Sequence, residues 1–301
     1  MRHGPPCPTA AAPTGPAAPT DPPPPPQSLR VATYNIHKGV RGLGPMRRLE
    51  IHNLAQGVAE LDADLVFLQE VRRHHHGDAR RFGPDRHHPP WPEGPQAEVL
   101  APPGHAVAYR TNAVTRQGEH GNALLSRWPL GPLAHCDVSD HRFEQRGLLH
   151  LPVLWPHAPE PLHAIVVHLG LFHASRVRQA QRLCAWIAEH IPPQAPLIVA
   201  GDFNDWAERL DPHLAPAGLH RAEDDTGPVP TFPSRWPLLG LDRFYLRGLR
   251  CEALSVPQGP HWSSRSDHLP LVAELRRDGA LATGLGMEPG TPRRVPSAHA
   301  V

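Results

Sequence analysis

Short apolar runs alternate with polar turns through most of the chain, and the spacing of the apolar positions separates strands from helices. Runs of mostly apolar residues predict strands at 29–35, 64–69, 105–109, 121–126, 147–154, 162–168, 196–201, 241–246 and 269–275. Two longer segments, 46–61 and 175–191, carry apolar residues at helical spacing, and Pro192 ends the second. Many strands with two clear helices indicate sheets packed face to face with helices outside.

Two long polar segments interrupt this pattern. Residues 72–104 and 207–240 are rich in residues that favour turns, above all proline, and are predicted to be long loops. Loops of this length inside a compact domain often carry function.

The two ends of the chain differ in composition from the middle. Residues 1–28 are dominated by proline and alanine, and residues 278–301 are rich in Gly, Pro and Arg. Such segments cannot bury enough apolar surface to offset the entropy lost on ordering. The sequence therefore predicts a disordered tail at 1–28, one large domain at 29–277 and a flexible tail at 278–301.

Composition excludes several classes of protein. The 301 residues include 30 basic and 29 acidic side chains, for a net charge of +1. This argues against coating nucleic acid through a broad basic field, although a local basic cleft stays possible. No apolar run reaches the roughly 18 residues of a membrane span, so no integral membrane segment is predicted. Four widely spaced cysteines and no recognisable signal segment predict a cytoplasmic location.

Polar residues of the types used in metal and phosphate chemistry recur next to the ends of the predicted strands. They are Asn35, Glu70, His168, Asp202, Asn204, Asp242, Asp267 and His268. One such residue means little, because strands normally end in polar turns, but a sheet rim can hold a set of them rigidly. Glu70 is a hard carboxylate of the kind that suits Mg²⁺, with an ordinary turn carboxylate as the alternative. Asp202 and Asn204 can equally form an Asx turn.

Seven motifs in a fixed order carry a family resemblance. They are TYNIHKG, VFLQEV, GNALLSRWPL, VVHLG, VAGDFNDW, LDRFY and SDHLPLVAEL. In this order they resemble the endonuclease/exonuclease/phosphatase superfamily, and within it a bacterial group whose substrate is poorly defined. The resemblance covers nearly all of 29–277. It implies an α/β fold of the deoxyribonuclease type, a four-layer sandwich of two mainly antiparallel sheets flanked by helices, and a phosphoester hydrolase dependent on Mg²⁺, with Mn²⁺ as a possible substitute.

The resemblance also implies roles for the metal and the water. Asn35 and Asp267 join Glu70 near the metal. Asp202 is the candidate that deprotonates or orients the attacking water. Asn204 would donate its amide to the phosphate or to the nucleophile.

Further roles concern the phosphate. His268 and Asp242 resemble a coupled pair, in which the carboxylate fixes the tautomer of the imidazole and raises its basicity. His168 would donate to a non-bridging oxygen, and a histidine here lowers the expectation of abasic-site repair. Arg146 and Asn122 are weaker candidates for substrate binding, each with a structural role as the alternative.

The substrate stays open at this stage. Nucleic acid, DNA or RNA, is the most frequent substrate class in the superfamily and is the first interpretation. The near-neutral charge favours a phospholipid or another small phosphoester as the alternative, and the apolar segment 231–241 could form a rim for lipid. A non-catalytic binding protein would be indicated by loss of Glu70, Asp202 or His268, and all three are present. No protein partner is predicted.

Overall fold

The structure is a computed structural model that describes residues 28–278 except 43, 157, 224–226 and 228. The predicted tails therefore lie outside the described residues, apart from Ser28 and Asp278 at their inner ends. The first strand already begins at Ser28, one residue before the predicted boundary.

The described chain contains fourteen strands and six α-helices. The strands are β1 Ser28–Asn35, β2 Val40–Arg41, β3 Arg48–Leu49, β4 Leu65–Val71, β5 Ala106–Thr115, β6 Gly118–Ser126, β7 Ala134–Asp137, β8 Gly147–Val153, β9 Leu162–His168, β10 Leu197–Asp202, β11 His220–Arg221, β12 Asp242–Arg247, β13 Leu249–Ser255 and β14 Leu271–Arg277. The helices are α1 Ile51–Glu60, α2 His76–Arg81, α3 Gln96–Leu100, α4 His173–His190, α5 Asp211–Leu214 and α6 Trp262–Arg265. Short 3-10 turns lie at His37–Gly39, Gly44–Met46 and Ala215–Ala217.

Two six-stranded sheets form the centre of the fold. The first has the order β13-β14-β1-β4-β6-β5 and the second the order β11-β12-β10-β9-β8-β7. Only β1 with β4 and β9 with β10 pair in parallel among the described strands of these sheets. Parallel neighbours need a long crossover, and α1 and α4 provide the two crossovers. The expected sandwich of mainly antiparallel sheets is confirmed.

Three apolar clusters hold four layers together. One lies between the sheets, where the rings of Phe67 and Phe244 meet edge to face at 6.3 Å. A second packs α1, α3 and α6 on the outer face of the first sheet, and a third packs α4 and α5 on the second sheet. Strands β1, β4, β9 and β10 are covered on both faces, which explains their nearly continuous apolar sequences.

Several predicted element boundaries differ from the structure. The predicted helix at 46–61 begins only at Ile51, because Val40 pairs with Leu49 in a small hairpin. The predicted loops 72–104 and 207–240 contain α2, α3, α5 and β11. Strands β7 and β13 were not predicted; they lie at sheet edges, where a single ladder partner rather than a local apolar run defines a strand.

No helix in the described part of the chain combines the length and the apolar character needed to cross a membrane.

A buried histidine pair lies between the second sheet and α4. His150 Nε2 is 2.9 Å from His163 Nδ1, and Trp186 Nε1 donates to His150 Nδ1 at 3.4 Å. Since Nδ1 of His150 accepts, its Nε2 carries the hydrogen and donates to His163. Burial lowers the pKa of His150 to about 4, and His163 adds to this shift. The pair is therefore neutral in the folded protein near pH 7.

This pair predicts a loss of stability in mild acid. The pKa of His150 is lower in the folded protein than in the unfolded chain, so its stabilising effect is present above about pH 6.5 and falls as the pH drops towards 4. His150→Gln should make the free energy of unfolding less dependent on pH in this window, by on the order of 1–3 kcal/mol. Urea unfolding at several pH values measures this. His220→Gln, at an exposed position, is the control, and parallel curves for His150→Gln and the wild type would contradict the prediction.

Candidate active site

The C-terminal ends of the four central strands β1, β4, β9 and β10 meet at one edge of the sandwich, here called the site edge. Asn35 ends β1, and Glu70 lies one residue before the end of β4. In the second sheet, Asp202 at the end of β10 stands in register with His168 of β9 and Asp242 of β12. Because neighbouring residues in register point to the same face, these three side chains are held side by side.

Asp202 is the centre of this arrangement and is 1% exposed. Its Oδ2 accepts from Asn35 Nδ2 across the two sheets at 3.1 Å, and the Nε2 atoms of His168 and His268 lie at 3.5 and 3.7 Å. Its Oδ1 accepts from the Asn204 backbone N–H at 2.9 Å, which is the predicted Asx turn. Burial raises the pKa of Asp202 to about 6, because the effect of His268 only partly offsets it.

His268 is held by a buried carboxylate. Its Nδ1 lies 2.8 Å from Asp242 Oδ2, and Thr231 Oγ1 donates to the same oxygen at 2.6 Å. Burial alone would lower the pKa of His268, but Asp242 and Asp202 outweigh it and raise the pKa to about 10. His268 is therefore a cation at neutral pH, and its Nε2 faces Asp202. The structure brings the predicted coupled pair together.

His168 has the opposite charge state. Burial lowers its pKa well below the usual value, and Arg146 adds to the effect. The imidazole is therefore neutral, and its Nε2 faces the Asp202 carboxylate at 3.5 Å. The two histidines beside Asp202 thus differ in charge because contact with Asp242 helps to outweigh burial at His268, whereas at His168 the influence of Glu70 does not outweigh burial and Arg146.

Two further carboxylates, Glu70 and Asp267, lie on the first-sheet side of the site. Lys38 Nζ is 3.0 Å from Glu70 Oε2, and His37 Nδ1 is 2.9 Å from Asp267 Oδ2. Burial would raise the pKa of Glu70, but Lys38 and the neighbouring His168 and His37 together outweigh burial, and the pKa falls well below its usual range. For Asp267, burial raises the pKa and His37 lowers it, and the net result is again a pKa below the usual value. Both carboxylates are therefore ionised.

The backbone around the Lys38–Glu70 contact is strained. His37, Lys38 and Glu70 have φ values of 45°, 62° and 58°, in the left-handed region that non-glycine residues rarely adopt. Asn204 is also left-handed, with φ 50°. Strained residues of this kind gather at functional sites, where the surrounding structure holds them in place.

The donor set fits a hard divalent cation. Among the described residues there is no group of three or more His, Cys, Asp or Glu arranged to hold a metal ion. Glu70 and Asp267 instead offer two ionised carboxylates, which contact Lys38 and the His37 imidazole, respectively. Mg²⁺ takes one or two protein carboxylates and keeps several waters, so this set suits it better than it suits zinc. Asn35 Oδ1 accepts from the His37 backbone N–H at 3.1 Å and thus lies beside the residue whose imidazole contacts Asp267.

Three other predicted residues are tied to the backbone. Asn204 Nδ2 donates to Leu169 O at 2.9 Å. Arg146 Nε donates to the same carbonyl at 3.2 Å, and its Nη2 lies 3.3 Å from Glu144. Asn122 Nδ2 donates to two backbone carbonyls and its Oδ1 is buried, a geometry that favours its structural alternative because no N–H group faces outward.

Some residues that support the site were missing from the sequence-based set. Thr231 orients Asp242, and Ser266 Oγ donates to Asn35 O at 2.8 Å. Asp205 is fully buried and accepts from Arg243 Nη1 at 3.0 Å, which anchors the turn after β10. The second aspartate of the GDFND motif was the available signal for Asp205. Ser266 likewise belongs to the SDHLPLVAEL motif, whereas Thr231 carried no local signal, because its partner Asp242 lies 11 residues away.

A pocket of about 510 Å³ adjoins this centre. His120 and Arg146 line its inner part, and Phe143 and Phe172 line its outer part. Burial lowers the pKa of His120 to about 4, against the influence of Glu70. The pocket thus extends from His120, which interacts electrostatically with Glu70, to exposed aromatic side chains.

Comparison with known proteins agrees with this geometry. The sequence pattern of the Endonuclease/Exonuclease/phosphatase family matches residues 32–268, from β1 to His268. The uncharacterized protein YbhP of Escherichia coli strain K12 is 37% identical over 256 residues, which cover 82% of this chain and 96% of that protein.

Solved structures share the fold at low sequence identity. An endonuclease/exonuclease/phosphatase from Beutenbergia cavernae has a TM-score of 0.65 at 22% identity and covers 84% of this chain and 72% of that one. A mannosyl-6-phosphatase of Bacteroides thetaiotaomicron has a TM-score of 0.58 at 17% identity and covers 82% and 99%. The fold, the matched residues and the long alignment lead to one conclusion: the chain belongs to the endonuclease/exonuclease/phosphatase family, whose members are nucleases and phosphatases.

Proposed function

We propose that this protein hydrolyses a phosphodiester with the help of a divalent cation, Mg²⁺ or Mn²⁺. The observation that carries the proposal is the position of the Asp202 carboxylate between cationic His268 and neutral His168, with its pKa raised to about 6 by burial. A carboxylate with such a pKa is a suitable general base near neutral pH. Family membership supports a hydrolytic reaction on a phosphoester.

The proposed reaction is attack by water in line with the leaving oxygen. Asp202 accepts a proton from the water as its oxygen bonds to phosphorus, and Asn35 and Asn204 hold the carboxylate in place. The phosphorus–oxygen bond to the leaving group breaks, and the alkoxide takes up a proton from solvent and departs as an alcohol. This leaves a phosphomonoester, and Asp202 then returns its proton to solvent. A divalent cation held by Glu70 and Asp267, near Asn35, would neutralise phosphate charge.

The two histidines bind the phosphate in this proposal. His268 donates from Nε2 to a non-bridging oxygen, and Asp242 with Thr231 keeps it protonated and oriented. His168 donates from its neutral Nε2. Charge that develops on the phosphorane is thus met by donors that are already in position, which is the main source of rate enhancement in such sites.

The metal requirement is tested with bis-p-nitrophenyl phosphate, a generic diester. We expect hydrolysis with Mg²⁺ or Mn²⁺ and its loss with EDTA. Glu70→Gln should raise the Mg²⁺ concentration needed for half-maximal rate by on the order of tenfold or more, because it removes a charged ligand. The control is Glu189→Gln, an exposed position on α4. Equal metal dependence in Glu70→Gln and the wild type, or full activity in EDTA, would refute the proposed role of the cation.

The substrate class is tested in the same assay. Abasic and nicked DNA, single-stranded RNA and an anionic phospholipid are compared with the generic diester. Selective hydrolysis of one class identifies the natural substrate type, and inactivity of folded protein on every diester would contradict the proposed function.

A further inference from the structure

Exposed apolar side chains concentrate at the site edge. Ten large apolar side chains are strongly exposed in the described part of the chain. Eight of them form what is called here the apolar rim: Met46, Val114, Phe143, Leu171, Phe172, Trp206, Trp236 and Leu238. The other two, Leu133 and Leu154, lie at the opposite edge. Scattered exposed apolar residues are normal in soluble proteins, whereas this one-sided distribution marks an interaction surface.

Strand direction establishes this placement. Strands β1, β5, β9 and β10 run towards the site edge, and β8 and β12 run away from it. The segments that follow β1, β5, β9 and β10 at the site edge, or the ends of these strands, therefore carry Met46, Val114, Leu171 with Phe172, and Trp206. The segments that lead into β8 and β12 carry Phe143, Trp236 and Leu238. Leu133 precedes β7 and Leu154 follows β8, which places both at the far edge.

Exposed arginines accompany the rim. Five exposed arginines each lie within three residues of a rim side chain: Arg142 by Phe143, Arg235 by Trp236, Arg48 by Met46, Arg116 by Val114 and Arg209 by Trp206. The Arg142 guanidinium lies 4.6 Å from the centre of the Phe143 ring. Two acidic groups near the rim are paired: Glu208 with Arg221 at 3.2 Å, and Glu144 with Arg146 and the Leu171 N–H. Glu119, opposite Val114 in the β5–β6 ladder, is a further acidic residue beside the rim.

This combination matches a lipid–water interface. Aromatic and aliphatic side chains enter the boundary between headgroups and acyl chains, while arginines beside them meet anionic headgroups. Nucleic acid fits less well. Four rim residues, Met46, Val114, Leu171 and Leu238, have no aromatic face on which a base could stack, and the net charge of +1 provides no broad field for a phosphate backbone.

We propose that the site edge docks on the surface of a bilayer that contains anionic phospholipids, with the apolar rim at the headgroup boundary. The rim occupies six separate segments around the candidate active site, which is wider than one small ligand can cover. Docking would bring phosphodiester headgroups to Asp202 and His268. That last consequence rests on the proposed function, while docking itself does not.

Vesicle co-sedimentation of the full chain tests the proposal. The probes are vesicles of phosphatidylglycerol mixed with phosphatidylcholine, and of phosphatidylcholine alone, with EDTA present so that hydrolysis plays no part. We expect stronger binding to the anionic vesicles, weakened by salt. The double variant Phe143→Ser, Trp236→Ser should lower the partition coefficient by on the order of tenfold. Arg142→Ser with Arg235→Ser should remove most of the preference for anionic lipid, about tenfold.

Leu133→Ser with Leu154→Ser is the matched control, since it removes the same number of exposed apolar groups from the opposite edge. All positions are exposed, and equal circular dichroism spectra and thermal midpoints verify folding. The proposal is overturned if the wild type does not sediment with anionic vesicles, or if rim and control variants bind alike. It is also overturned if the rim variants lose affinity only for a single-stranded oligonucleotide. Vesicle binding without hydrolysis of any diester would refute the proposed function and leave the docking proposal standing.

Discussion

Asp202→Asn is expected to lower the rate of bis-p-nitrophenyl phosphate hydrolysis by on the order of 10²-fold or more, with little change in secondary structure. The amide has the shape of the carboxylate but cannot accept the proton of the attacking water. It also places either an amide or an uncharged oxygen opposite Asn35, His168 and His268, which now all face a carboxylate. Initial rates at saturating Mg²⁺ measure the effect.

Asp62→Asn is the matched control. Asp62 is exposed, away from the site, and makes a surface ion pair with Arg127 at 2.7 Å. We expect wild-type activity from this variant, because exposed pairs contribute little. An Asp202→Asn protein that folds normally and retains activity within a few-fold of the wild type would remove Asp202 from the proposed mechanism.

The second large effect is expected at His268. His268→Ala removes the cation that would meet charge on the phosphate, and should cost on the order of 10²-fold in rate. Asp242→Asn should cost nearly as much, although Asp242 acts only by orienting and charging His268.

The two substitutions together separate these roles. If Asp242 acts through His268, the double variant should be scarcely slower than His268→Ala, because residues that act as a unit are strongly non-additive. Thr231→Val, which removes the other donor to Asp242 Oδ2, should give a smaller loss in the same direction. Independent, multiplicative losses for Asp242→Asn and His268→Ala would show that Asp242 has a separate function.

The central strands were predictable, because short-range periodicity reports burial directly. Strands β1, β4, β9 and β10 are covered on both faces, so each reads as an apolar run followed by a polar residue. That pattern, with the ordered motifs, was sufficient to predict the sandwich and the strand-end residues. Edge strands β7 and β13 and the short helices in the predicted loops were not predictable in this way, since neighbours distant in sequence define them.

The candidate active site shows the same division between what the sequence predicts and what the tertiary structure decides. The sequence by itself determined which chemical groups stand at the strand ends, and hence the family and the proposed kind of reaction. Only the tertiary structure decided which group meets which. His268 contacts Asp242, 26 residues away, and Asn35 contacts Asp202, 167 residues away. The contact with Asp242 helps to keep His268 charged, and burial with the nearby Arg146 keeps His168 neutral.

The apolar rim shows the same division most clearly. The sequence contains its phenylalanines, tryptophans and arginines, but nothing local reveals that six distant segments end at one edge. Strand direction and sheet order place them there. Local sequence encodes burial and backbone preference over a few residues, whereas charge states, binding surfaces and pairings depend on distances that exist only once the two sheets have packed.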